Sequence, residues 1–134
     1  MREFKFRAWN ESNKEWMGNS DIKIHLNGAI SAYDNVPLKF EYFWYYYPFI
    51  KLQEFTGIKD INGCDIYEGD IVRQYPGFGC EWEPRTGKVE YRWASFWISF
   101  DGFGFILDNH DCQFKILGNI YENSELMKEI SSHA

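Results

Sequence analysis

The chain has 134 residues and a mass of 16.0 kDa, enough for one domain or one domain with an appended lobe, and too few for two ordinary ones. Leu, Ile, Val and Phe number 6, 13, 3 and 12, about a quarter of the chain, so a packed core is within reach. Lys plus Arg total 14 against 20 Asp plus Glu, and the resulting net charge of −6 argues against broad binding to nucleic acid or anionic membranes.

The opening MREFKFRAW alternates charge with aromatics and offers no apolar stretch for a secretory leader, so a cytoplasmic location is expected. Phe4, Phe6 and Ala8 alternate with Lys5, Arg7 and Trp9, the two-residue period of a strand with one face inward. Ile22, Ile24 and Leu26 alternate with Lys23 and His25. Asn27-Gly28 then supplies both positive-φ positions of a tight hairpin turn before Ala29 to Tyr33. Residues 40–49, FEYFWYYYPF, hold eight aromatics in ten on both parities, so a strand there presents rings on each face and needs cover twice. The apolar window Phe40 to Ile50 is about half a membrane span and contains Glu41 and Pro48; no membrane anchor is expected.

From Leu52 the punctuation becomes regular. Thr56-Gly57, Asn62-Gly63, Glu68-Gly69-Asp70, Pro76-Gly77, Thr86-Gly87, Asp101-Gly102 and Leu117-Gly118 separate short β-rich runs, the spacing of a small barrel or sandwich. Val89, Tyr91 and Trp93 form one alternating run, Phe96, Ile98 and Phe100 a second, and Phe103 with Phe105 a third; consecutive antiparallel strands are expected. After Tyr121, an Asn123 or Ser124 cap, Glu125 in the first turn, and Leu126, Met127 and Ile130 at near-helical spacing predict a short terminal helix. Residues 1–50 hold six basic and six acidic side chains, and residues 51–134 hold eight and fourteen. That shift, with the change from dense aromatics to turn-punctuated strands, predicts an N-terminal β lobe over 1–50 and a barrel with its helix over 51–134, with one continuous domain as the alternative.

Three blocks, FKFRAWNESNKEWM, LQEFTGIKDINGCDIYEGDIV and ILGNIYENSELM, in that order across residues 4–127, resemble the YopX family of bacteriophage and prophage proteins. The resemblance implies an SH3-like β-barrel in the C-terminal part, a phage or prophage setting, and no agreed catalytic residues. Residues 18–49 and 75–86 look individual to this chain. The overall fold expected is mainly β: a small SH3-like barrel, an N-terminal β extension and a short C-terminal helix.

The central block also reads without the family. Asp60 and Asn62 can bond nearby backbone amides, and Asp70 can accept N–H bonds inside the Glu68-Gly69-Asp70 turn. The same acids, Asp60, Asp65, Glu68 and Asp70, could instead gather a divalent cation, although their spacing lacks the regular loop of a calcium motif. His110-Asp111-Cys112 brings imidazole, carboxylate and thiol together, but Cys64, Cys80, His25 and His133 form no paired zinc spacing. A reactive Cys112 thiolate would need positive charge nearby, while Asp108 and Asp111 oppose it. Gly102-Phe103-Gly104 does not open a helix and is no dinucleotide fingerprint. No enzyme and no cofactor are expected.

The aromatic run therefore carries the functional expectation. Phe40 and Phe43 belong to it, and Tyr42, Trp44, Tyr45, Tyr46, Tyr47 and Phe49 are its candidate interaction surface, either core or a contact that seals a homo-oligomer. The reading is a non-enzymatic, self-associating module that binds an unidentified host or phage protein. The alternatives are a single-stranded nucleic-acid-binding barrel, with Arg2, Lys5 and Arg7 adding local charge, and a cryptic metal-dependent hydrolase.

Overall fold

The computed structural model describes residues 5–11, 14–17, 22–24, 30–34, 43–46, 50–77, 79, 81–108 and 112–130, with 22–24, 30–34, 43–46 and 50 described by backbone alone. The described chain is mainly β, with twelve strands and one short 3-10 helix, and it divides into two compact units: Phe6–Gln53, and Met1–Lys5 with Glu54–Ala134. None of the helical residues described is part of a segment long and apolar enough to cross a membrane.

The Phe6–Gln53 unit contains β1 (Phe6–Asn10) paired antiparallel with β2 (Glu15–Met17), and β3 (Ile22–Ile24), β4 (Ile30–Asp34) and β5 (Phe43–Tyr46) in a three-stranded antiparallel sheet. The opening strand departs from simple alternation. Ala8 and, on the other parity, Trp9 are both buried, Trp9 only 3% exposed and packed edge-on against Trp16 at 4.9 Å. A ring this large is favourable to bury wherever a partner ring lies on its face. The β3–β4 pairing puts Ile24 opposite Ile30 and leaves five residues between them. The Asn27-Gly28 turn expected between them lies outside the described residues.

β6 (Ile50–Lys59) carries the chain from one unit into the other. In the second unit β6 pairs with β7 (Asp65–Tyr67), Phe55 opposite Tyr67. A five-stranded antiparallel sheet follows, built from β8 (Asp70–Pro76), β9 (Arg85–Arg92), β10 (Ser95–Phe100), β11 (Phe103–Ile106) and β12 (Cys112–Asn119). Its order is β11-β10-β9-β8-β12, so β12 returns to the far side of β8. The inward parity is the one the apolar alternation predicts: Val89, Phe96, Ile98 and Phe100 join Ile66, Val72, Leu107 and Phe114 in one buried cluster. Trp93 breaks its run and leaves the strand for the β9–β10 turn.

The central turns behave as their residues dictate. The Asp60 carboxylate accepts the N–H groups of Asn62 (2.8 Å), Cys64 (3.0 Å) and, from β12, Ile116 (3.1 Å), while Ile61 N–H donates to the Phe114 carbonyl (2.8 Å). One turn thus closes on itself and also covers the outer edge of β12. Asp70, 1% exposed, accepts the Tyr67 N–H at 2.8 Å across the turn in which Gly69 has φ 89°.

The terminal helix is a 3-10 helix over Ser124–Glu129, with Glu125 in its first turn. The expected side-chain cap is not made. Asn123 Oδ1 reaches back to accept the Asn119 N–H at 3.3 Å, and a 3-10 turn of this length needs fewer capped amides than an α-helix. The helix start lies close over β12 at Gly118, where a Cβ would stand 2.5 Å from Asn123 Oδ1; a bulge between Ile116 and Gly118 marks the same place.

Candidate functional site

The aromatic run is only partly described. Tyr42, Tyr47 and Phe49 lie outside the described residues, as does Phe40. Phe43, Trp44, Tyr45 and Tyr46 form β5, opposite Asp34, Tyr33, Ala32 and Ser31 of β4.

The four acids of the central block are dispersed. Asp60 and Asp70 accept backbone amides as above, and Asp65 pairs with Lys5 (2.7 Å) and Lys59 (3.2 Å). Burial pushes the Glu68 carboxyl up. Burial also acts upward on Asp60, but three amide donors and the nearby Lys115 outweigh it and hold the group below its ordinary value. No group of three or more His, Cys, Asp or Glu with metal-holding geometry occurs among the described residues. Of the basic residues near the start, Arg2 lies outside the described residues; Lys5 stands over the Phe55 ring, and Arg7 bonds Gln53 and stacks on Trp16.

His25, Cys80, His110, Asp111 and His133 also lie outside the described residues, and Cys64 is exposed. Cys112 opens β12 half-buried, donating to the Asp108 carbonyl at 3.0 Å and accepting from Gln74 Nε2 at 3.4 Å. Gln74 also accepts from Arg85 Nε at 3.0 Å. The Arg85 guanidinium lies within 4.7 Å of the Trp82, Phe100 and Phe105 ring centres, and burial lowers its pKa. This cation closes the aromatic end of the core, a packing role that the rings favour electrostatically.

A groove of about 540 Å³ lies on the opposite face of the β9-β10-β11 sheet, walled mostly by residues that the strand alternation sends outward, with Phe100, Phe103 and Ile130 also in its lining. Lys88, Glu90 and Arg92 come from β9, Trp97 and Ser99 from β10, and Gly104 from β11. Lys88 Nζ meets Glu90 at 2.7 Å, the Ser99 hydroxyl donates to Glu90 at 2.8 Å, and Arg92 Nη2 donates to Ser99 Oγ at 3.1 Å. Burial raises the Glu90 carboxyl, but the Lys88 and Ser99 hydrogen bonds and the charges of Lys88 and Arg92 prevail and hold it below its ordinary value. A carboxylate so stabilised is a poor proton acceptor. The arrangement holds its charges in place.

Above the groove, the β9–β10 hairpin turns through Trp93 and Ala94, both with positive φ (51° and 60°). Hairpins that turn in two residues use Asn or Gly at such positions because a Cβ is disfavoured there. The consequence is a Trp93 ring that is 77% exposed, edge-on to Trp97 at 5.7 Å and capped by the Arg92 guanidinium at 5.1 Å. Trp97 Nε1 donates to the Arg92 carbonyl at 3.0 Å, which fixes the second ring. Sequence reasoning assigned these residues to barrel strands and missed the site. The available signal was a two-residue turn without Gly, Asn or Asp between two clear alternating runs.

Comparisons with known proteins agree with this architecture. The crystal structure of protein EF1440 from Enterococcus faecalis is similar at a TM-score of 0.54 and 24% identity, covering 95% of this chain and 99% of that one. The crystal structure of protein yopX from Bacillus subtilis gives 0.63 at 15% identity, covering 94% and 98%. Both are likenesses of fold. Among curated proteins none matches. The YopX protein family model matches residues 5–128, a span that takes in the three sequence blocks almost whole, and by that match the chain belongs to the YopX family.

Proposed function

We propose that this YopX-family chain is a non-enzymatic accessory protein of a phage or prophage, a module acting in the host cytoplasm that binds another protein. The five-stranded sheet, with the β6–β7 pair before it, reads as an SH3-like barrel. The outward groove of the β9-β10-β11 face is its docking site. The observation that carries this reading is the exposed Trp93 ring, held beside Trp97 by a turn in an unfavourable conformation. Non-glycine residues at positive φ cost about 1–3 kcal/mol each, and such strain concentrates where a side chain must be presented. Tryptophan and arginine together are the residues enriched at the centres of protein contacts.

Affinity capture from cells carrying the phage tests the reading, with the wild-type chain and a Trp93→Ala/Trp97→Ala variant of matching circular dichroism as baits. Partners retained by the wild type should fall at least tenfold on the variant; partners held equally by both would sink the groove as the docking site. Self-association through Tyr42, Trp44, Tyr45, Tyr46, Tyr47 and Phe49 belongs to the same proposal, and light scattering checks it: a strict monomer at micromolar concentration removes that part.

Single-stranded nucleic acid is the second reading, favoured by two adjacent indoles beside Arg92, since bases stack on such rings. The net charge of −6 and Glu90 inside the groove oppose it. Fluorescence anisotropy against oligonucleotides at two salt concentrations separates the readings, because a salt-sensitive complex is required of the second alone.

A further inference from the structure

The groove reaches the β11 edge of its sheet. β11 is the terminal strand in the order β11-β10-β9-β8-β12, and no described residue pairs with its outer side. The opposite edge, at β12, is covered by the Asp60–Ile61 turn, so the two ends of one sheet are treated differently. β11 carries the sequence FGFI, with neither a charge nor a proline, the devices that ordinarily discourage strand addition.

Register fixes which backbone groups face outward. Leu107 N–H donates to the Phe96 carbonyl, and in an antiparallel ladder bonded and non-bonded pairs alternate. Phe105 opposite Ile98 and Phe103 opposite Phe100 are therefore the bonded pairs. Gly104, opposite Ser99, and Ile106, opposite Trp97, aim N–H and C=O away from β10. The same two residues have the parity of the groove. Ile106 is 59% exposed beside Trp97. Gly104 lacks the side chain that would cover this position: a Cβ there would stand 3.1 Å from the Ile98 carbonyl oxygen and 3.5 Å from Arg92 Nη2, which places the guanidinium beside the strand at this point.

We infer that the outer edge of β11 takes an extended segment of a partner protein as an added antiparallel strand, with an acidic side chain entering over Gly104 to meet Arg92 and an apolar one two positions away lying on Ile106 and Trp97. The inference rests on the groove being a protein-docking site and specifies what docks. Main-chain bonds at Gly104 and Ile106 supply affinity, and the alternating pockets supply selectivity. The acidic preference follows from Lys88 and Arg92 sharing one carboxylate, Glu90, at 2.7 and 3.7 Å, so that the described lining of the groove carries two positive charges against one negative. A second copy of this chain paired through its own FGFI strand would bring no acid to that position, which favours a different protein as occupant.

The probe is a randomised nonapeptide display library selected on the immobilised full-length chain. Selected peptides should share an aromatic or aliphatic residue followed two positions later by Asp or Glu. Ile106→Pro removes an outward N–H and leaves the ladder to β10, since proline is tolerated where an edge N–H faces outward. It should weaken a selected peptide at least tenfold, with Ile106→Ala as the side-chain control. Arg92→Glu should do the same, and a peptide with Lys in place of its acid should recover at least tenfold on that variant. This charge exchange keeps the test decisive where Ile106→Pro fails to fold. A library without the pattern, or selected peptides indifferent to Ile106→Pro and to the charge exchange, overturns the inference. A dimer abolished by Ile106→Pro, with no peptide selected, assigns the edge to a second copy and overturns it too. Capture that needs Trp93 and Trp97 but ignores Ile106→Pro leaves the docking groove standing and removes only the added strand.

Discussion

Two turns in the same unit are made by opposite rules. At 60–64 every residue suits its conformation: the Asp60 carboxylate takes three amides, Asp60 N–H and C=O bond Cys64 and Gly63, and Gly63 holds φ 81° without a Cβ. At Trp93-Ala94 two residues with side chains hold the same left-handed region, and the larger one projects into solvent. The first turn stabilises the fold and ties it to β12. The second holds two side-chain-bearing residues in a region that ordinarily costs stability, and with them an exposed ring.

The largest way to break this contrast is Asp60→Ala. It strands three amide donors near the core and should cost about 3 kcal/mol in urea unfolding. A loss under about 1 kcal/mol would mean the turn is not the anchor described. Next, Trp93→Asn/Ala94→Gly should raise stability by about 2 kcal/mol, because those residues accept positive φ in a two-residue hairpin, while partner capture falls as it does for Trp93→Ala/Trp97→Ala. Stability unchanged or lowered would show that the wild-type turn carries no strain.

A third measurement uses pH. Asp60 and Glu90 have folded-state pKa values held below their ordinary 3.8 and 4.5. The stability they contribute is fully present above those ordinary values and is lost as pH falls through the depressed ones. Unfolding followed from pH 6 to 3 should therefore show stability declining from about pH 4.5 downward, and Asp60→Asn should flatten the lower part of that decline. An unchanged slope in the variant would remove Asp60 as a contributor. The smallest effect is expected of Glu90→Gln, under about 1 kcal/mol, since the carboxylate is partly hydrated and its ion pairs are screened. A larger loss would make the groove's charge network part of the fold's foundation.

Much of the second unit was legible in the chain. The apolar parity of β9 to β11 and the acids of the 60–70 turns follow from local rules, because alternation selects a buried face and Asp bonds the amides beside it. Burial of both Ala8 and Trp9 is not legible in β1, because parity says nothing about whether both faces of a strand are covered. Asn123 stands at the N-cap as its residue type suggests, but its side chain accepts the Asn119 N–H rather than a helix amide, a choice of partner that only the fold sets. The groove escaped altogether: Lys88, Glu90 and Arg92 look like an ordinary solvated strand face until Ser99 and Trp97 are placed beside them by register.

The sequence by itself determined a mainly β chain, its family, the strands of the C-terminal sheet and the chemistry of its central turns, since each depends on residues close together along the backbone. Tertiary structure alone decided that β11 ends the sheet while β12 is covered, and that Gly104 lies beside Arg92 with Trp93 raised over Trp97. Those facts depend on strand order and on which backbone groups remain unpaired, quantities that arise only when distant segments meet.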